Sequence, residues 1–243
     1  MQISTIGYWG AYPEAESATS SYLVSKDGFH CLIDCGSGAL SRLQRRLNPT
    51  QLDAIVLSHY HHDHVADIGP MQYAMLVQNA IHQTNKILPI YGHQEEAEKF
   101  ANLSHQSTIG IAYDPAHTLI LGPLTFQFLK TKHPVPCYAM RISDGEKTIV
   151  YTADTSYFEE LITFCKGADL LIAECSFYEG MDGSGPGHMT SEECGKLARD
   201  AGVGELWLTH LPHFGDTMKL KVEAEQLFNG PIKLAEEDLS YGS

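Results

Sequence analysis

Apolar residues along the chain fall into short runs of two kinds, continuous or alternating runs of about five and longer runs with helical spacing. Residues 2–6, 20–25 and 29–33 are rich in Ile, Val, Leu and Phe and predict strands. Asp34-Cys35-Gly36-Ser37-Gly38 turns the chain, and a helix is expected over 39–47. Asp-Ala-Ile-Val-Leu at 53–57 is the short apolar run of a buried strand. A helix is expected from Val65 or Ala66 to Gln78, then a strand at 87–91 and a helix at 94–102. The stretch 117–151 has no helical period. It predicts consecutive strands at 118–121, 124–130, 137–143 and 147–151, with turns at Gly122-Pro123 and Asp144-Gly145. Alternation then resumes, with helices at 156–165, 190–201 and 217–228 and strands at 169–173, 205–209 and 232–235. Strand runs combined with βα units imply an α/β (α+β) protein, with two sheets packed together and helices outside.

The 243 residues contain no Pro-, Gly- or Ser-rich linker and no repeat, so a single domain over 1–243 is expected. With 43% hydrophobic and 19% charged residues, wholesale disorder is excluded. Thirty acidic against 16 basic residues give a net charge of −14. That disfavours a surface for long nucleic acid, which needs clustered Lys and Arg. A small phosphate ester at a metal centre stays open, because bound metal reverses the local sign. Six cysteines, at 31, 35, 137, 165, 175 and 194, form no C-x-x-C pair and lie in apolar segments. They read as buried thiols in a reducing compartment. Met1 to Gly7 shows no basic region followed by an apolar one, and no window approaches the roughly 18 apolar residues of a membrane span. A cytoplasmic location is the expectation.

Histidine changes the picture. There are 13, and four fall in His59-Tyr60-His61-His62-Asp63-His64, between a predicted strand and a predicted helix. In an extended segment residues i and i+2 point the same way. His59 and His61 can therefore present imidazoles to one metal ion. Asp63 and His64, near the helix start, can face a second ion beside it. Imidazole and carboxylate at this density suit zinc, with Zn–N near about 2.0–2.1 Å. A solvated polar turn would give no reason for this spacing at the end of a buried strand. His62 points opposite to His59 and His61 and reads as a surface or supporting residue.

The hexapeptide resembles the signature of the metallo-β-lactamase superfamily, and the likeness extends over most of the chain. Leu32-Ile33-Asp34-Cys35-Gly36 resembles the first family motif, an Asp at a strand end that supports the metal loop. Thr131-Lys132-His133 resembles the third, Tyr151-Thr152-Ala153-Asp154-Thr155 the fourth, and Leu206-Trp207-Leu208-Thr209-His210 the fifth, in the family's order. The resemblance implies a four-layer αβ/βα sandwich. It also implies that His59, His61 and His133 bind one metal ion, that Asp63, His64 and His210 bind another, and that Asp154 bridges them. Two ions roughly 3.5–4 Å apart would lower the pKa of a shared water, hold a charged substrate oxygen and stabilise a leaving oxygen. Asp63 would orient the resulting hydroxide. The family's diiron oxygen reductases usually carry Glu at position 61, so His61 favours hydrolysis. Zinc fits the N/O donors, with manganese or iron as substitutes.

Leu170 to Phe177 is an apolar strand ending in Glu174, and His188 follows 14 residues later in Gly187-His188-Met189-Thr190-Ser191. Both segments resemble the tRNase Z-like phosphodiesterases, in which the His donates a proton near the leaving oxygen and the Glu orients it. Thr190 with Glu193 also reads as a helix-capping box, which does not conflict. The tRNase Z enzymes insert a long tRNA-clamping arm between their third and fourth motifs, whereas here His133 and Asp154 are only 21 positions apart. The expected activity is therefore hydrolysis of a small phosphodiester, a nucleotide or a short RNA. The alternatives are an ester, thioester or lactone hydrolase on the same metals, or a non-catalytic metal-binding carrier. Arg141 is expected either to meet a phosphate or to form an ion pair. His93 and His213 are the remaining histidines expected nearest the site mouth. Met71, Tyr73 and Met75 read as helix-face packing. Related enzymes are commonly dimers, which implies a homodimer.

Overall fold

The apolar runs become strands close to where their spacing places them. The computed structural model describes residues 1–242, and the chain forms two units, residues 1–114 with the segment from 237, and residues 115–236.

The first unit contains β1 (Gln2–Gly7), β2 (Ser21–Lys26), β3 (Phe29–Ile33), α1 (Ala39–Leu43), β4 (Ala54–Val56), α2 (His62–Val65), α3 (Ile68–His82), β5 (Leu88–Gly92), α4 (Ala97–Ala101) and β6 (Thr108–Ala112). The terminal strand Ser240–Tyr241 joins them in a mixed sheet, ordered Ser240–Tyr241, β1, β2, β3, β4, β5, β6. The pairs from β3 to β6 are parallel. Leu32, Leu43, Ile55, Met71, Met75 and Ile90 belong to its buried core.

The second unit contains β7 (Leu119–Leu121), β8 (Leu124–Lys130), β9 (Tyr138–Ser143), β10 (Thr148–Tyr151), α5 (Glu159–Cys165), β11 (Leu170–Glu174), α6 (Ser191–Ala201), β12 (Glu205–Thr209), α7 (Thr217–Ala224) and β13 (Ile232–Leu234). Its sheet runs β13, β12, β11, β10, β9, β8, β7. β7 to β10 pair antiparallel and β10 to β13 parallel. Ends of β8, β10, β11 and β12 therefore lie on one rim of this sheet, the usual place for ligands in α/β sheets. Two mixed sheets with helices make up the expected fold class.

The differences have local causes. β6 escapes the pattern because Gly110 interrupts its short apolar run. A Cβ there would lie 3.1 Å from Leu103 Cβ, so the strand relies on a residue that weakens its sequence signal. The helix expected from residue 65 is two helices, α2 and α3. Between them, Asp67 accepts the Leu40 N–H (2.9 Å) rather than capping α3 with its side chain. Burial raises the Asp67 carboxyl pKa, although the N–H groups of Leu40 and Gly38 work against the shift. The helix expected over 39–47 ends at Leu43, followed by tight i to i+3 turns at Arg45 and Arg46. Met71 and Met75 are buried as expected, but Tyr73 is 62% exposed and packs on no core. Among the described residues no helix is long and apolar enough to cross a membrane. All six thiols are buried, and burial raises the Cys165 pKa to about 12, so that thiol is unreactive.

Candidate active site

Within the first unit, β3 and β4 run parallel, with Ile33 opposite Val56. Their ends place Asp34 beside the segment that enters the histidine motif. Asp34 is fully buried, with a left-handed backbone (φ +54°). Its Oδ1 accepts the Ser58 N–H (2.7 Å). Its Oδ2 accepts the Ser58 hydroxyl (2.8 Å) and lies 2.8 Å from His64 Nδ1. A carboxylate can only accept, so His64 carries its proton on Nδ1 and turns Nε2 toward a ligand position. The Ser58 hydroxyl has given its one proton to Asp34, so its oxygen accepts from His59 Nδ1, 3.0 Å away. His59 is thereby held in the same tautomer.

His61 closes the segment at the N-cap of α2 with extended backbone, so its ring sits 4.8 Å from that of His59. The rings of His59 and His64 are 4.1 Å apart. Asp63 Oδ2 accepts the Ala11 N–H (2.9 Å) and lies 3.7 Å from His64 Nε2. The four predicted ligands of this unit thus converge, and His62 is exposed as expected. Gly36 is required beside them, since a Cβ there would meet the Asp63 carbonyl oxygen at 2.1 Å.

Within the second unit, Asp154 follows the left-handed Ala153 (φ +50°) at the end of β10. Its Oδ2 lies 3.8 Å from His133 Nε2 and 3.5 Å from His210 Nε2. His133 Nδ1 donates to the Gly187 carbonyl (3.1 Å), which again leaves Nε2 as the ligand atom. Burial lowers the His133 pKa, while the Asp154 carboxylate works against the shift, so the ring is neutral as a metal ligand requires. His210 follows β12 and is also left-handed (φ +53°). Three strand ends, at Asp34, Ala153 and His210, thus hold side-chain-bearing residues in a conformation that costs of order 1–3 kcal/mol each.

Glu174 ends β11, buried and opposite Thr209. Its Oε1 accepts from the Thr155 N–H (3.3 Å), the Met189 N–H (2.9 Å) and His188 Nδ1 (3.0 Å). Its Oε2 accepts the Ser176 N–H (3.2 Å) and hydroxyl (2.9 Å). The His188 ring stacks on His210, with centroids 5.2 Å apart and planes at 23°, and meets the edge of His133 at 5.3 Å. Glu174, His188 and His210 offer donor atoms within 4.8 Å of one another. The capping box is present immediately downstream. Thr190 accepts the Glu193 N–H (3.2 Å), and Glu193 accepts the Thr190 N–H (2.9 Å). Capping α6 therefore fixes the end of the His188 loop.

Eight of the nine predicted site residues have the polar partners described above, and His61 packs its ring against His59. Imidazoles tied through Nδ1, together with carboxylates, form a donor set for divalent metal ions.

The beta-lactamase superfamily domain matches residues 30–211. The chain belongs to that superfamily. It is 52% identical over 236 residues, 97% of each chain, to the probable metallo-hydrolase YhfI of Bacillus subtilis. The crystal structure of YhfI, described as a metallo-beta-lactamase fold protein, superposes with a TM-score of 0.98 at 48% identity, over 99% of this chain and 98% of that one. A ribonuclease Z of Metallosphaera sedula is 25% identical over 99% of this chain and 98% of its own. Human tRNase Z, short form, shares the fold at a TM-score of 0.79 and 19% identity, over 100% and 99% of the two chains. Family, relatives and donor sets together make this superfamily member a metallo-hydrolase of the β-lactamase fold.

Some sequence readings need correction. Arg141 forms no ion pair among the described residues, and its Nη1 instead donates to the carbonyls of Phe164 (3.0 Å) and Lys166 (3.2 Å) at the end of α5. His93 is buried, its carbonyl accepting the Tyr60 hydroxyl (2.6 Å) and its ring packing on Tyr60 at 4.5 Å. The sequence reading missed Ser58 and Ser176. The only signal was position, with Ser58 directly before His59 and Ser176 two residues after Glu174. It also passed over Gly187 (φ +80°), where a Cβ would lie 2.8 Å from Pro134 Cδ and 2.9 Å from His133 Cα.

Proposed function

We propose that this metallo-hydrolase is a phosphodiesterase that cleaves a small phosphodiester, a nucleotide or a short RNA. The observation that carries the reading is the Glu174–His188 pair, an imidazole held at 3.0 Å by a buried carboxylate and stacked on the His210 ring. An acyl hydrolase expels a leaving group that departs readily once a carbonyl is attacked. Cleaving a phosphodiester leaves an alkoxide, which benefits from an acid. The ribonuclease Z and tRNase Z names among the relatives support the same class.

In this reading residues 1–243 are a single domain. His59, His61 and His133 would hold one ion, and Asp63, His64 and His210 would hold another, with Asp154 available to both. Zinc suits these donors, with manganese or iron as substitutes. Bound there, two such ions would supply Lewis acidity and activate a water. Asp63 orients that water for attack on phosphorus. Glu174 accepts a hydrogen bond from His188 Nδ1–H and stabilises its imidazolium, so Nε2 carries the other proton as donor. As the phosphorus–oxygen bond breaks, the Nε2 proton passes to the departing oxygen. The substrate is taken as small because His133 and Asp154 are only 21 positions apart, and the segment between them holds β9, β10 and their turn and no long insertion.

A homodimer and a cytoplasmic location complete the proposal. Residues 68–85 contain no Asp, Glu, Lys or Arg in a chain of net charge −14. Tyr73, Val77 and Ile81, one face of α3, are 62%, 50% and 62% exposed. Two acidic protomers approach most cheaply across such an uncharged apolar face, so a second copy fits it.

The deciding experiment measures turnover of bis(p-nitrophenyl) phosphate and of a dinucleoside monophosphate by metal-loaded protein, with His188→Ala compared on the second, whose alkoxide leaving group needs the acid. Wild-type turnover that falls about 100-fold or more in the variant is expected for a positioned acid. Absent wild-type turnover, or an unchanged variant, overturns the phosphodiesterase reading and turns the search to esters, thioesters and lactones.

A further inference from the structure

Each unit carries the same arrangement of four side chains. In the first, a buried carboxylate at the end of β3, Asp34, bonds one histidine directly (His64, 2.8 Å) and a second through a serine (Ser58 to His59, 3.0 Å). In the second, a buried carboxylate at the end of β11, Glu174, bonds one histidine directly (His188, 3.0 Å) and a second through a serine. Ser176 Oγ lies 2.9 Å from Glu174 Oε2 and 2.8 Å from His210 Nδ1.

The proton count at Ser176 has one solution. A hydroxyl has one proton to give and two lone pairs to receive with. The Glu174 carboxylate can only accept, and charged acceptors bind more strongly than neutral ones. The His210 carbonyl, 3.3 Å away, is the longer and neutral competitor. The Ser176 proton therefore goes to Glu174, and the oxygen receives from His210 Nδ1–H. That leaves the lone pair of His210 on Nε2, the atom nearest Asp154 (3.5 Å). Ser176 also touches His210 at both ring and carbonyl, and His210 sits in the left-handed region at φ +53°. A residue in that conformation persists only where its surroundings over-determine it.

We propose that Ser176 is a positioning residue that sets the tautomer and the ring orientation of His210 for metal binding, as Ser58 does for His59. It ties that ligand to Glu174, the carboxylate that orients His188. One hydroxyl thus makes a metal ligand and the acid share a single support. The inference rests on His210 being a ligand, as proposed above, and not on the identity of the substrate.

The test has a readout that needs neither metal nor substrate. In metal-free protein with 15N-labelled histidine, two-bond 1H–15N correlations report which ring nitrogen of His210 is protonated. Nδ1–H is expected in the wild type. Nε2–H in the wild type would overturn the proposal without recourse to any variant. Ser176→Ala should convert His210 to mixed tautomers and weaken zinc binding by about 10–100-fold in competition with a chelating dye. Ser176→Thr, which keeps the hydroxyl, should restore both. An Nδ1–H His210 and unchanged zinc affinity in Ser176→Ala overturn the proposal. Neither measurement uses phosphodiester turnover, so a failure here is distinguishable from failure of the phosphodiesterase reading.

Discussion

Asp34 Oδ2 lies 2.8 Å from His64 Nδ1, and the same carboxylate takes both the N–H and the hydroxyl of Ser58. One buried acid therefore sets two histidine tautomers. Asp34→Asn keeps the shape but offers an N–H where His64 already presents one. Metal affinity is expected to fall about 10–100-fold, read by chelator competition. Wild-type affinity in a folded Asp34→Asn protein would show that the carboxylate does not set the ligands.

Gly187 lies between two functions. Its carbonyl receives His133 Nδ1–H (3.1 Å), and it precedes His188. With φ +80° and less than 3 Å of room toward His133, Gly187→Ala has to move the loop. Stability should drop by about 1–3 kcal/mol, and both metal affinity and turnover should fall. Thermal unfolding and a zinc titration on one preparation check this. A variant with wild-type values of both would mean the loop tolerates a side chain.

Arg141 supports α5 through its Nη1, which is bonded to two backbone carbonyls. Its guanidinium neutralises the last carbonyls of the helix, the end where a cation is favourable. Arg141→Ala should lower stability by about 1 kcal/mol and leave KM for a phosphodiester within about twofold. A tenfold rise in KM at unchanged stability would return the residue to the substrate site.

Glu223 on α7 joins three elements. It accepts the Glu179 N–H (2.9 Å) and the Ser191 hydroxyl, and Lys219 lies 3.3 Å away. Burial alone would raise its pKa, but these three partners outweigh burial and hold it below the ordinary 4.5. A depressed carboxylate contributes stability that is fully present above the unfolded pKa and is lost as pH falls through the folded one. Glu223→Gln should therefore cost about 1–2 kcal/mol at pH 7, with the gap to wild type closing as pH falls below the ordinary 4.5 and through the lower folded pKa. Denaturation curves across that range test it, and a pH-independent gap would contradict it.

The exposed face of α3 predicts oligomeric state. Val77→Glu or Ile81→Lys should convert a dimer to a monomer without loss of fold, since both side chains are at least half exposed. Light scattering after gel filtration gives the mass directly. A monomeric wild type would end the dimer reading.

Much of the site was legible from chain order because each ligand sits at the end of an apolar run. His133, Asp154 and His210 were chosen through the resemblance of their segments to the family motifs, and each follows an apolar run that becomes a strand, with its end on one rim of the second sheet. The motif at 59–64 was legible because extended backbone aligns His59 with His61 and a helix start redirects Asp63 and His64. Arg141 and Tyr73 were misread because strand or helix position says which face a side chain takes, not what lies opposite. For Arg141 that was the carbonyl end of α5. For Tyr73 it was no buried partner at all, with His105 beside it at 5.4 Å.

The sequence by itself determined most of the strands and helices, the superfamily and the candidate donor residues, because hydrophobic period and residue chemistry are local properties. Only the tertiary structure decided how those donors are held. Ser58 and Ser176 are ordinary serines in the sequence. Strand pairing brings Asp34 to the one and Thr209 opposite Glu174 beside the other, and proton counting at these contacts sets the tautomers of His59 and His210. The left-handed turns at Asp34, Ala153 and His210 are likewise invisible in residue type, since a non-glycine residue adopts them only when its packed surroundings impose it.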